Sequence, residues 1–171
     1  SRNDLYEKVW AAADIFISLS DNIQESFGLT PIEAMSAGLP VVISNYNGYR
    51  ESVRDNIEGL TVPSIQPAPG AGAEMAFLYD TGFVPYPIFT AAMSQSTAVA
   101  VPAAATALTR LIEDSDLRAR LGAAGQKRAA EVYDWRHVVR AYQELWVELA
   151  DLRTRAKESV PPLPGRAPYP L

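Results

Sequence analysis

The stretch ESFGLTPIEAMSAGLPVVIS, Glu25–Ser44, decides how this chain folds. An apolar run, IFISL (Ile15–Leu19), stands before it, and PVVIS (Pro40–Ser44) closes it. Both runs are short and continuously apolar, the pattern of strands buried on both faces. Between them Thr30 reads as an N-cap, Pro31 as the first helical residue, and Glu33 stands three positions after the cap. Gly38 then ends the helix and Pro40 forbids its continuation. Strand, loop, helix and strand in that order make a parallel βαβ unit. Ligands of such sheets lie beyond the carboxyl ends of the strands, which is where Glu25–Leu29 falls.

That loop has two physical readings. In one, Thr30-x-x-Glu33 is a capping box in which Glu33 reaches back to the Thr30 N–H, and no ligand is implied. In the other, the single glycine, Gly28, lets Ser26–Leu29 turn backbone N–H groups toward an anion beside the positive end of the helix dipole. A pyrophosphate fits there without a lysine. The patterns G-x-x-x-x-G-K-S and G-x-G-x-x-G are both absent from the chain. Glu33, one turn into the helix, can accept both hydroxyls of a ribose, and Glu25 those of a sugar.

The same residues resemble a known signature. Glu25 and Glu33 in E-S-F-G-L-T-P-I-E-A-M-S-A-G-L-P-V-V are similar to the Glu-x7-Glu motif of the retaining glycosyltransferases of family 4, with Ser26 in place of a common glycine. The preceding L-Y-E-K-V-W-A-A-A-D-I-F-I-S-L-S and the following N-Y-N-G-Y-R-E-S-V-R-D-N-I-E-G-L-T-V-P resemble that family too, with Asn47 where a glycine is usual. The resemblance is specific over Leu5–Pro63 and weaker from Ala98 to Ala150. It implies a GT-B fold, two facing Rossmann-like domains, of which this chain would be the later part of the C-terminal, donor-binding domain. It implies that Glu25 is the catalytic-site carboxylate on the transferred sugar. It also implies that Ser26, Phe27, Gly28 and Leu29 hold the sugar or diphosphate, and that Glu33 holds the nucleotide ribose. The side chains of Phe27 and Leu29 are expected in the core, with their amides outward. Ser20, Gly48 and Glu51 fall on loops at the same sheet edge, where a turn or cap role is at least as well supported as ligand contact.

The rest of the chain bounds this reading. Its 171 residues suffice for one domain with a real core. A net charge of −5, spread along the chain, disfavours nucleic acid as a partner. With no cysteine there are no disulfides or thiolate metal sites, which fits a cytoplasmic setting. His137, the sole histidine, cannot anchor a metal site by itself and reads as a capping or surface residue rather than a catalyst. No metal or other cofactor is expected, only a nucleoside-diphosphate sugar as substrate. No apolar run reaches the ~18 residues of a transmembrane helix, and peripheral membrane contact is left to the absent domain.

Four segments are expected. Residues 1–63 form a nucleotide-sugar-binding Rossmann-like half-domain. A helix over Asp4–Ala13 opens it, with Leu5, Tyr6, Val9, Trp10 and Ala13 on one face. Its strands are Ile15–Leu19, Val41–Ser44 and Leu60–Val62, with a short helix near Tyr49–Arg54. Residues 64–97 form a Pro- and aromatic-rich insertion or flap. Pro85 and Pro87 argue for an irregular path there, with the aromatics packed on the parent domain. Residues 98–152 form C-terminal helices: one with Leu108, Leu111 and Ile112, a short one ended by Gly122, and one capped by Asp134 whose apolar stripe from Trp135 to Leu149 is a packing face. Residues 153–171 form an extended Pro-rich tail. Further strands and a basic pair of the family are expected earlier in a whole domain, so the chain reads as a fragment lacking its N-terminal acceptor domain, inactive alone. Two alternatives stay open: a non-catalytic nucleotide-sugar-binding module, and a GT-B phosphorylase or nucleotide-sugar epimerase.

Overall fold

The structure, a computed structural model, describes residues 2–156, apart from the side chains of residues 2–4 and 6. The Pro-rich stretch from 157 onward and the side chain of Tyr6 therefore lie outside the described residues. The chain divides into two units, Ser1–Tyr133 and Asp134–Leu171.

In the first unit, helix α1 (Arg2–Ala12) leads into β1 (Phe16–Ser18), α2 (Leu29–Ser36), β2 (Val41–Ser44), the single turn α3 (Tyr49–Ser52) and β3 (Gly59–Val62). The three strands pair in parallel in the order β1-β2-β3, with Ile17 beside Val42 and Val42 beside Leu60. This is the expected α/β architecture with a Rossmann-like parallel sheet. All four residues of β2 are buried, as a continuous apolar run requires of a central strand. Val41 and Ile43 pack with Ile32, Met35, Tyr49 and Val53 on one face, with Trp10 and Phe16 against them. Val42, Leu60 and Val62 face the other way. β1 is an edge, and Ile17 is 42% exposed on it. The face expected on α1 is only half used: Trp10 and Ala13 pack, whereas Leu5 and Val9 are exposed.

After β3 the chain makes β4 (Ser64–Ile65), α4 (Ala73–Asp80), α5 (Tyr86–Gln95) and β5 (Ala98–Val99). β4 and β5 pair antiparallel, so the excursion leaves and returns at one point. The irregular path expected for residues 64–97 is corrected by these two helices. Pro85 sits at the N-cap of α5 and Pro87 in its first turn, where the missing N–H costs nothing. The aromatics also depart from expectation. Tyr79 stacks on Phe89 at 4.9 Å and lies 5.9 Å from Tyr86, while Phe77 and Phe83 are exposed.

Helices α6 (Val101–Glu113) and α7 (Ser115–Arg128), the latter continuing as a π-helical turn (Ala129–Tyr133), cover the sheet. Ala104, Ala107, Leu111, Leu117 and Leu121 pack on the Val42–Leu60–Val62 face, while Ile112 is exposed. Gly122 does not end a helix as expected. It lies within α7, and a Cβ there would stand 2.1 Å from the Gly38 carbonyl oxygen, so the glycine allows α7 to close on the end of α2. Arg128 then donates from Nε to the Ser52 carbonyl and from Nη2 to the Glu51 carbonyl, both at 3.1 Å, satisfying the end of α3. Between α3 and β3, the buried Glu58 accepts from the Arg54 backbone N–H at 2.9 Å and pairs with its guanidinium. Burial opposes ionisation of Glu58, but the Arg54 hydrogen bonds and the Arg128 charge outweigh it and hold the carboxyl below its usual range.

The second unit is α8 (Trp135–Arg155), capped as expected by Asp134, whose carboxylate accepts from the Arg136 N–H at 2.8 Å. The helix runs three residues into the segment expected to be an extended tail. It has no buried residue; Trp135, Tyr142 and Trp146 of its apolar stripe are exposed, as is His137. Among the described residues no helix is long and apolar enough to cross a membrane.

Candidate functional site

The loop from β1 to α2 lies at the carboxyl edge of the parallel sheet, held by short local bonds. Asn22 makes a turn by accepting the Gln24 N–H on its side chain (2.9 Å) and the Glu25 N–H on its carbonyl (3.0 Å). Ser44, at the end of β2, donates to the Ser20 carbonyl at 2.6 Å, and Asn47 Nδ2 donates to the Ile23 carbonyl at 3.3 Å. Asn47, where the resemblance led to a glycine, adopts a left-handed φ of 45°, a conformation that asparagine tolerates.

The helix starts earlier than the capping-box reading requires. Gly28 is the N-cap of α2, at φ 76°, and as a glycine it brings no capping side chain of its own. Thr30 is thus inside the helix, and its side chain hydrogen-bonds the Tyr49 phenol instead. The capping box is overturned because a left-handed glycine starts the helix two residues sooner. The opening N–H groups of α2 have no intrahelical partner by geometry, and they carry the positive end of the dipole.

Tyr49 is the residue that the sequence reading missed. It is 1% exposed, and its hydroxyl lies 2.8 Å from Ser18 Oγ and 3.5 Å from Glu25 Oε2. Its ring fills the space where Gly28 lacks a side chain. Burial pushes the phenol above its usual range, and the Glu25 charge adds to that. The available signal was chemical: a tyrosine in a core needs a partner for its hydroxyl, and Ser18 and Thr30 were both at the same sheet edge. Gly48 is required as well, because a Cβ there would stand 1.8 Å from the Ser26 carbonyl oxygen. Glu51 offers its carbonyl to Arg128, a capping role.

The expected site residues fall as follows. Glu25 is half-buried at the loop, with Tyr49 beside its carboxylate. Ser26 packs its backbone on Gly48. Phe27 meets Tyr133 edge to face at 5.9 Å but is 40% exposed. Leu29 is 63% exposed, which corrects the expectation that its side chain is in the core; as the first helical residue it projects from the sheet edge. Glu33 lies one turn further along α2 and is exposed. Glu25, Gly28 and Thr30 converge on Tyr49, and Glu33 follows on the same helix.

Comparison with known proteins bears on the same segment. The chain is 40% identical over 75 residues to a D-inositol 3-phosphate glycosyltransferase of Geodermatophilus obscurus, covering 44% of this chain and 16% of that protein. It is 27% identical over 135 residues to the sulfoquinovosyl transferase SQD2 of Arabidopsis thaliana, covering 79% and 20%. The chain thus spans about a fifth or less of the length of these relatives. Among solved structures, sucrose-phosphate synthase from Thermosynechococcus elongatus superposes with a TM-score of 0.54 at 22% identity, over 84% of this chain and 27% of that one. HepE of Anabaena in complex with UDP gives 0.51 at 24%, over 84% and 29%. These likenesses carry the fold, that of the GT-B glycosyltransferases. Residues 1–71, which hold β1, α2 and the Tyr49 cluster, match the family of glycosyl transferases group 1.

Proposed function

We propose that this chain is the donor-binding portion of a retaining glycosyltransferase that moves a sugar from a nucleoside diphosphate to an acceptor. The single observation that carries the reading is the start of α2. A left-handed Gly28 opens the N-terminus of α2 directly after a loop that holds Glu25 half-buried. The group 1 match over residues 1–71 supports it, as does the UDP bound by a protein of the same fold.

In this reading the backbone of Ser26–Leu29 and the helix dipole stabilise the departing diphosphate by preorganised electrostatics. Glu25 orients the sugar through its hydroxyls, and Glu33 accepts the ribose hydroxyls. The acceptor oxygen bonds to the anomeric carbon as the carbon–oxygen bond to the diphosphate breaks; the diphosphate leaves with that electron pair and its freed oxygen takes up the acceptor hydroxyl's proton. No metal or cofactor enters. The chain alone is inactive, because transfer needs a second domain to close over the donor.

Calorimetric titration of the chain with UDP, UDP-glucose, GDP-mannose and ADP-glucose tests this. Glu33→Gln is expected to weaken the free nucleotide and its sugar alike, by about tenfold, or about 1.4 kcal/mol. Glu25→Gln is expected to weaken the nucleotide sugar only. No binding of any of the four ligands would falsify the proposal.

A further inference from the structure

Asn47 stands where the family resemblance leads to a glycine, and it makes the only Asn-Gly pair in the chain. Asparagine is a chemically labile residue, above all before glycine. The nitrogen of the following residue can close on the side-chain carbonyl carbon, and a glycine leaves that approach open. Three features of this turn favour the reaction. Asn47 is exposed and lines an open hollow of about 420 Å³ with Ile23, Tyr46, Arg50 and Gln66, so water reaches it. Its amide is held by one long hydrogen bond, 3.3 Å to the Ile23 carbonyl. Among the described residues the Gly48 N–H makes no hydrogen bond, so the attacking nitrogen is free.

Two other asparagines act as controls within the chain. Asn56 is also exposed and left-handed, at φ 58°, but the next nitrogen, that of Ile57, donates to the Arg54 carbonyl at 3.1 Å and stands beside a branched side chain. Asn45 is exposed too, and the Tyr46 N–H after it donates to the Ser44 carbonyl at 2.8 Å. Asn47 and Gly48 also support the loop on both sides of Glu25. Asn47 Nδ2 holds the Ile23 carbonyl, two residues before the carboxylate. Gly48 lies against Ser26, one residue after it, so closely that a Cβ would stand 1.8 Å from the Ser26 carbonyl oxygen.

We propose that Asn47-Gly48 is a deamidation site whose products loosen the Glu25 loop and weaken donor binding as the protein ages. The Gly48 nitrogen gives up its proton to solvent base and bonds to Asn47 Cγ. The Cγ–Nδ2 bond breaks, and that nitrogen takes a proton from water and leaves as ammonia, closing a five-membered imide. Water then opens the ring. Cleavage at Cγ leaves an aspartate; cleavage at the main-chain carbonyl leaves an isoaspartate, with the backbone routed through the side-chain carbon. Both products lose the Nδ2 donor and gain a carboxylate, so the bond to the Ile23 carbonyl goes. Isoaspartate also lengthens the main chain by one atom beside Gly48, where not even a Cβ has room. The covalent change stands by itself; its effect on the donor rests on the donor reading above.

Ageing the 171-residue chain in warm neutral buffer tests this, read by fragment-ion mass spectrometry, amide hydrogen exchange and titration with UDP-glucose. Asn47 is expected to convert about tenfold faster than Asn45 or Asn56, a barrier difference of about 1.4 kcal/mol. Isoaspartate should appear there, detected by enzymatic methylation of its carboxylate. Freshly made Asn47→Asp should exchange the Glu25 amide faster than the parent chain and bind UDP-glucose several-fold more weakly, and the aged parent should approach it. Asn47→Gly, which keeps the left-handed turn, should show no change with time. No conversion at Asn47, or conversion spread evenly over the three asparagines, overturns the site. Conversion with unchanged exchange at Glu25 overturns the link to the loop. If UDP-glucose binds Asn47→Asp as tightly as the parent, the donor reading stands and the effect on binding is overturned. If Asn47 converts and the loop loosens but no nucleotide sugar binds the fresh chain, the donor reading fails, and the effect on binding with it, while the site stands.

Discussion

Tyr49 and Gly28 share one space: ring carbon Cε1 of the tyrosine stands 2.0 Å from where a Cβ on residue 28 would be. Position 28 is also left-handed, so an alanine there meets both backbone strain and a clash with a buried ring. Gly28→Ala is expected to lower stability by about 2–4 kcal/mol, read from urea unfolding. Adding Tyr49→Ala should recover the clash but not the strain, so the two changes are non-additive by about 1 kcal/mol or more. Additive losses would show that the ring and the glycine are independent.

The hydroxyl of Tyr49 is separable from its ring. Tyr49→Phe keeps the ring against Gly28 and removes the partner shared by Ser18 and Glu25. The expected stability loss is about 1 kcal/mol. If Glu25 holds the sugar, the same variant weakens UDP-glucose several-fold relative to UDP, because only the sugar depends on that carboxylate. An unchanged ratio of the two dissociation constants would separate Tyr49 from the sugar end of the site.

Much of this was legible in the residues, for reasons that differ from element to element. β2 was readable because a strand buried on both faces leaves a continuous apolar run, and Val41–Ser44 is one; β1 and β3 show a similar apolar run, although β1 is an edge with Ile17 exposed. Asp134 was readable as a cap because its chemistry is local. The start of α2 was misread because Thr30-x-x-Glu33 satisfies the same local rule, while Gly28 starts the helix for a reason located in Tyr49, twenty-one residues away. Gly122 was misread as a stop for a similar reason. Its purpose is the approach of α7 to the Gly38 carbonyl, which no local pattern shows. Pro85 and Pro87 were read as breakers because proline breaks a helix interior and opens a helix end, and only the boundary decides between them. Tyr49 carried no motif at all.

Glu58 sets a pH dependence. Its carboxyl is held below its usual range in the folded state, so its contribution is fully present above the unfolded value of 4.5 and is lost as pH falls through the folded value. Glu58→Gln is expected to cost about 2 kcal/mol at neutral pH, since bonds to a charged acceptor are lost. The variant should also show a shallower fall in stability below pH 4.5 than the parent chain. Urea midpoints across an acid series check both, and parallel curves would remove Glu58 as the cause.

The open flank of β1 has its own consequence. Ile17 is exposed there, and a strand with unpaired N–H and C=O groups invites a second copy. The isolated chain is expected to self-associate with rising concentration in size-exclusion chromatography, and Ile17→Lys to suppress this. A concentration-independent monomer in the parent chain contradicts the expectation.

Ile65 and Ala98 face each other across two strands, so the path that begins at one finishes about 5 Å away at the other. Everything between them is topologically a graft: a tight turn in its place would let the flanking polypeptide run on undisturbed from β3 to α6. A scaffold arranged that way can trade one lobe for another of different shape without refolding the sheet.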